Sequence, residues 1–247
     1  MEKIKILVVE DESIIAEDIR RSLENLGYSV PSVVSSGEAA INKAKEERPD
    51  LVFMDIMLKG KMDGIEAAGK IRSEFNIPIV YLTAYGDDNI LARAKITEPF
   101  GYLIKPFKDR ELKINIEIAL YKYRMEGKLK ESKEFYESVL EGIVNGVWVT
   151  DKNDIIVYAN KGMGAVEGLA NDTIMGVQVL KNFQDSFKPY YLKAKESLQP
   201  FYYGAVPFVT KAGPNYLSGW LVARLKDGKF DGMICTIESI PKHTQVE

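Results

Sequence analysis

Short apolar runs recur through the first half of the chain, at 4–9, 30–34, 51–54, 79–82 and 101–104. Such runs, with no polar alternation, fit strands buried on both faces. Between them, near 13–26, 37–47, 64–74 and 87–96 and again from 109, apolar residues return every three or four positions, as amphipathic helices require. Repeated β-then-α units predict a parallel five-stranded sheet with helices on both faces and right-handed crossovers, a doubly wound α/β domain. After about residue 136 the rhythm changes. GVWVT at 146–150, a polar DKND turn and IIVYA at 155–159 predict a hairpin; short helical pieces follow, then strands near 201–210, 216–225 and 232–239. Two strands, helices and three strands predict an α+β domain with one antiparallel sheet. Between the two patterns, 109–141 lacks proline and is rich in helix formers, predicting a helix of roughly 50 Å.

Composition adds boundaries. A chain of 247 residues suits two domains. The net charge of −3 with mixed signs gives no nucleic-acid footprint. Nothing resembles a signal peptide, and no apolar run reaches the roughly 18–20 residues of a membrane span, so the expectation is a cytoplasmic protein without membrane insertion. A single cysteine, Cys235, excludes an internal disulfide.

Doubly wound sheets place their sites where strands end at the carboxyl edge. The polar residues there are Glu10, Asp11, Asp55, Thr83 and Lys105. Asp55 closes the apolar run LVFM, a costly place for an ionised carboxylate without partners. Three carboxylates brought together repel, and a hard divalent cation such as Mg²⁺ relieves that. A lysine and a hydroxyl beside them are parts for stabilising a phosphoryl group. Dinucleotide binding needs a glycine-rich first turn; here the turn reads Val9-Glu10-Asp11-Glu12.

The stretches ILVVEDE, LVFMD, IPIVYLTAYGD and GYLIKPF resemble the receiver domain of two-component response regulators, with its flavodoxin-like fold, over about 3–122. The resemblance implies that Asp55 accepts a phosphoryl group from a histidine kinase. It further implies that Asp11 and Asp55 bind Mg²⁺ with the Met57 carbonyl, Glu10 acting through water. Lys105, joined to Pro106 by a cis bond, would pair with a phosphoryl oxygen, and Thr83 and Tyr102 would form a switch pair. No enzymatic activity is implied beyond phosphotransfer and dephosphorylation at Asp55 itself. The loop IMLKGKMDG departs from the family: it lacks the usual proline and runs about one residue longer before Asp63-Gly64. Met57 and Tyr85, bulky at positions that tune phosphoryl lifetime in relatives, imply slow self-dephosphorylation.

The stretches GVWVTDKNDIIVYANKGM, IMGVQV and GMICTIES resemble a PAS domain. The expected organisation is a receiver domain at 1–122, a helical linker at 123–135, a PAS domain at 136–241 and a tail at 242–247. No PAS ligand is named by the sequence: the one histidine, His243, lies in the tail, and the flavin-adduct cysteine motif is absent. No DNA-binding, cyclase or kinase module follows residue 241, so output is expected through an unidentified downstream protein, unless the chain is a fragment. A homodimer through the receiver face, the linker helix or the PAS domain is the further expectation. Its helix seam, at Ile114, Ile118, Tyr121, Met125 and Leu129, continues only loosely through Ser132, Phe135 and Val139. Two other readings stand beside phosphorelay output: a PAS-based small-molecule sensor with a modulatory receiver, and a phosphate sink.

Overall fold

The computed structural model describes residues 3–84, 93–94, 96–165, 174–210 and 213–240. It divides into two compact units, 1–131 and 132–247. The expected helix near 87–96 and Tyr85 lie largely outside the described residues, as does His243.

The first unit runs β1 (Ile6–Val9), α1 (Ser13–Asn25), β2 (Val33–Val34), α2 (Gly37–Glu47), β3 (Leu51–Asp55), α3 (Gly64–Phe75), β4 (Ile79–Ala84), β5 (Gly101–Lys105) and α4 (Asp109–Gly142). The strands form one parallel sheet in the order β2-β1-β3-β4-β5. Alternate residues serve opposite faces. Leu7, Val9, Val52 and Met54 pack with Ala40, Ala44, Ile65 and Ile71 of α2 and α3. Ile6, Val8, Leu51 and Phe53 pack with Ile19 and Leu23 of α1 and Leu112 and Ile116 of α4. Burial on both faces is why these strands read as unbroken apolar runs.

Helix ends follow local chemistry. The Ser36 side chain accepts from the Ala39 amide to cap α2, and Asp63 accepts from Glu66, 2.8 Å away, to cap α3. The strand expected over 30–34 is shorter than its apolar letters suggest. Pro31 has no amide to donate, so the ladder to β1 is regular only at Val33 and Val34, with the Ser29 and Ser32 carbonyls accepting from Ile6 and Val8 before it.

α4 has 34 residues; its inner face carries Leu112, Ile116, Ala119 and Leu120. The stripe at Ile114, Ile118, Tyr121, Met125 and Leu129 is exposed, as are Phe135 and Val139.

In the second unit, β6 (Gly146–Thr150), β7 (Ile156–Ala159), β8 (Phe201–Thr210), β9 (Gly213–Lys226) and β10 (Lys229–Ile240) form an antiparallel sheet in the order β7-β6-β10-β9-β8. Before β8 come a 3₁₀ turn (Lys161–Ala165), α5 (Val179–Asn182) and α6 (Lys188–Ser197). β9 and β10 are longer than expected. Asp227 and Gly228, both at positive φ, make a two-residue hairpin turn that lets pairing run up to Lys226 and Lys229. Trp148, Phe187, Tyr191 and Tyr203 are buried together, with the Trp148 and Tyr191 rings parallel. Tyr202 and Trp220 instead pair on the outer side and are half exposed. Cys235 is buried, and burial pushes its thiol pKa up.

One buried residue ties the end of α4 to this sheet. The Asn160 side-chain amide donates to the carbonyls of Leu140, Ile143 and Asn145, and its Oδ1 accepts from the Val147 amide at 2.7 Å. Beside it, Glu141 accepts from Tyr158 Oη and the Lys161 amide. The Leu140 carbonyl is one that the helix end leaves open, and those of Ile143 and Asn145 belong to the turn that follows it.

Candidate functional site

The parallel topology sets the carboxyl ends of β1, β3, β4 and β5 side by side, with Val9 level with Met54 and Ala84 level with Lys105. The side chains just past those ends therefore meet. Asp55 is almost wholly buried; its Oδ1 accepts from the Met57 amide at 3.1 Å and its Oδ2 from Lys105 Nζ at 2.8 Å. The same Nζ donates to Glu10 Oε2. Burial raises the Glu10 pKa, the Lys105 hydrogen bond opposes that, and the Asp55 charge adds to the rise. Burial disfavours charge on Lys105 as well, but its bonds to the two carboxylates outweigh this and its pKa is raised.

Ligand oxygens of Glu10, Asp11 and Asp55 lie within 4.8 Å of one another, and among the described residues this is the one such cluster. Asp11 Oδ2 is buried and accepts no well-directed hydrogen bond, although Lys59 Nζ stands 3.0 Å away. Hard carboxylate oxygens, one of them unsatisfied, suit Mg²⁺. The cluster opens into a groove of about 850 Å³ that Asp11, Ile14, Asp55, Met57, Lys105 and Phe107 help to line.

The remaining expected residues lie at the rim. Thr83 Oγ1 donates to the Ala84 carbonyl at 2.9 Å. Tyr102 packs against Tyr81 with ring centroids 5.8 Å apart; among the described residues its buried hydroxyl has no partner, and burial raises its pKa. The Met57 side chain is exposed. The Lys105–Pro106 bond is cis.

Two residues at the site escaped the sequence reading. Gly64 opens α3 against the backbone of Asp55: a Cβ there would lie 1.8 Å from the Asp55 carbonyl oxygen. The Asp-Gly pair was visible as a loop end; the close approach was not. Lys59 was visible only as part of an unusually long loop, and nothing in the sequence directs it to Asp11.

Residues 6–117 match the model of the response regulator receiver domain. The transcriptional regulatory protein PdtaR of Mycobacterium tuberculosis is 34% identical over 138 residues, covering 54% of this chain and 67% of that protein. The probable transcriptional regulator ycf27 of Porphyridium aerugineum is 33% identical over 170 residues, 68% of each chain. Among solved structures, the signal receiver domain of a modulated diguanylate cyclase from Desulfovibrio desulfuricans is 40% identical; the match covers 51% of this chain and 99% of that one, with a TM-score of 0.49. The chain belongs to the response regulator receiver family. Among the described residues, no helix is long and apolar enough to cross a membrane.

Proposed function

We propose that this chain is the phosphoacceptor of a two-component phosphorelay, with Asp55 the residue modified and the second unit, read as a PAS domain, delivering the output. The observation that carries the reading is the shared ammonium of Lys105, which holds the buried Asp55 and Glu10 carboxylates beside Asp11. An Asp55 oxygen attacks the phosphorus of a kinase phosphohistidine; the new P–O bond forms as the P–N bond breaks, and the imidazole leaves. Mg²⁺, when bound, neutralises charge among the carboxylates and the phosphoryl oxygens. Asp11 and Asp55 would hold it by side chain and Met57 by its carbonyl, with Glu10 acting through water.

Lys105 steadies the Asp55 carboxylate before transfer and is placed to follow the charge onto a phosphoryl oxygen afterwards. Thr83, whose hydroxyl among the described residues bonds only the neighbouring Ala84 carbonyl, can turn to the phosphoryl group at little cost. Movement of Thr83 makes room for Tyr102 to readjust, altering the face formed by β5 and its flanking helices. A phosphoryl group shifts this equilibrium only by binding the altered state better. α4 begins in one unit and ends in the other and is the covalent route between them.

The PAS reading rests on element order: two strands, helices and three strands in one antiparallel sheet, with the buried aromatics between sheet and helices. Its output is contact with a downstream protein.

Lys105→Met tests the role of the ammonium. The initial rate of phosphoryl uptake from a small-molecule donor should fall about 100-fold, the usual cost of removing one preorganised donor. Uptake at the wild-type rate by a folded variant, checked by circular dichroism, would count against the assignment.

A further inference from the structure

The long loop between β3 and α3 sets a second lysine at the acid cluster, and its contacts differ from those of Lys105. Lys105 is largely buried and makes directed hydrogen bonds to two carboxylates. The Lys59 side chain is 82% exposed, while its partner Asp11 is only 9% exposed. The pair is close, at 3.0 Å, yet Asp11 Oδ2 accepts no well-directed hydrogen bond. Lys59 therefore meets Asp11 from the solvent side, on the open side of a cluster that carries more negative than positive charge.

We propose that Lys59 is a tethered competitor for the divalent cation: its ammonium occupies the open side of the cluster at Asp11, and a metal ion binds only after displacing it. The inference rests on Glu10, Asp11 and Asp55 being the Mg²⁺ site. A divalent ion at Asp11 would repel an ammonium 3 Å from the same oxygen, so the two cannot share it. Because only Ile56, Met57 and Leu58 separate Lys59 from Asp55 in the chain, it is never diluted away. The apparent metal affinity is then lowered by the fraction of time in which Asp11 is paired. Lys105 remains in place throughout, since its partners are Asp55 and Glu10.

Exposed ion pairs are weak, so the expected effect is modest and measurable: about a three- to fivefold change in affinity. The experiment is calorimetric titration of the full chain with MgCl₂ at low ionic strength, comparing wild type, Lys59→Met and Lys61→Met. Lys61 is exposed in the same loop, and its replacement removes the same charge. Lys59→Met should bind Mg²⁺ about three- to fivefold more tightly, Lys61→Met should match wild type, and the gap should close in 1 M salt, where pairing is screened. Equal or weaker binding by Lys59→Met would overturn the proposal. So would an equal gain in Lys61→Met, which would trace the effect to the general field of the loop. Failure of the folded wild type to bind Mg²⁺ at all is a different result and removes the metal site itself.

Discussion

Gly64→Ala should cost the first unit about 3 kcal/mol or more, at the upper end of the overpacking range. The reason is steric, not conformational, since the φ angle of Gly64 is not positive. Its added methyl would sit 1.8 Å from the Asp55 carbonyl oxygen and 3.1 Å from Ile56 Cα, both backbone atoms with no rotamer to yield. Either the start of α3 or the end of β3 has to move, and the Gly64 amide bond to the Ile56 carbonyl goes with it. Asp55 stands on the segment that shifts. Phosphoryl uptake should therefore fall even at temperatures where the protein remains folded. Gly69→Ala is the control: in the same helix its methyl would approach nothing closer than 3.7 Å, and it should be neutral or stabilising by up to about 1 kcal/mol. Amide exchange over 51–55 reads the difference. Unchanged protection in Gly64→Ala would show that the contact is not as tight as described.

Asn160→Ala should destabilise the second unit by about 2–3 kcal/mol, because one truncation takes a partner from the buried Val147 amide and from three partly buried carbonyls. The Val147 amide loses its acceptor, and the carbonyls of Leu140, Ile143 and Asn145 lose a donor. Asn160→Asp should be no better: it keeps an acceptor for Val147 but turns a carboxylate toward three carbonyls. Both tryptophans, Trp148 and Trp220, lie in this unit, so fluorescence during urea unfolding follows it selectively. A loss below about 1 kcal/mol, the worth of one ordinary hydrogen bond, would mean that water replaces the amide easily and that Asn160 does not anchor α4.

What the sequence disclosed and what it withheld divide along a physical line. The parallel sheet was legible because its strands are buried on both faces and its helices on one, and each leaves its own period in the letters. Glu10, Asp55 and Lys105 could be singled out because strand ends at one edge must be neighbours, whatever the loops do. Pro31 shortened β2 for a reason the letters contain, a missing amide, which an apolar tally does not register. Lys59 is the opposite case: its reach to Asp11 depends on the path of a loop whose length matched no simple pattern. Asn160 reads as a turn residue after a strand. Its acceptors lie 15 to 20 residues upstream, at a helix end and the turn after it, whose open carbonyls become visible only in three dimensions. The helical stripe from Ile114 to Leu129 was legible as a period, and the structure shows it exposed.

The central claim is that Asp55 is the acceptor. Intact-protein mass after incubation with acetyl phosphate and Mg²⁺, beside an Asp55→Asn control, tests it most directly. The account predicts one added phosphoryl group on the wild type and none on the control. Equal labelling of both proteins, or no labelling of a folded wild type by acetyl phosphate or by a phosphorylated histidine kinase, would contradict it.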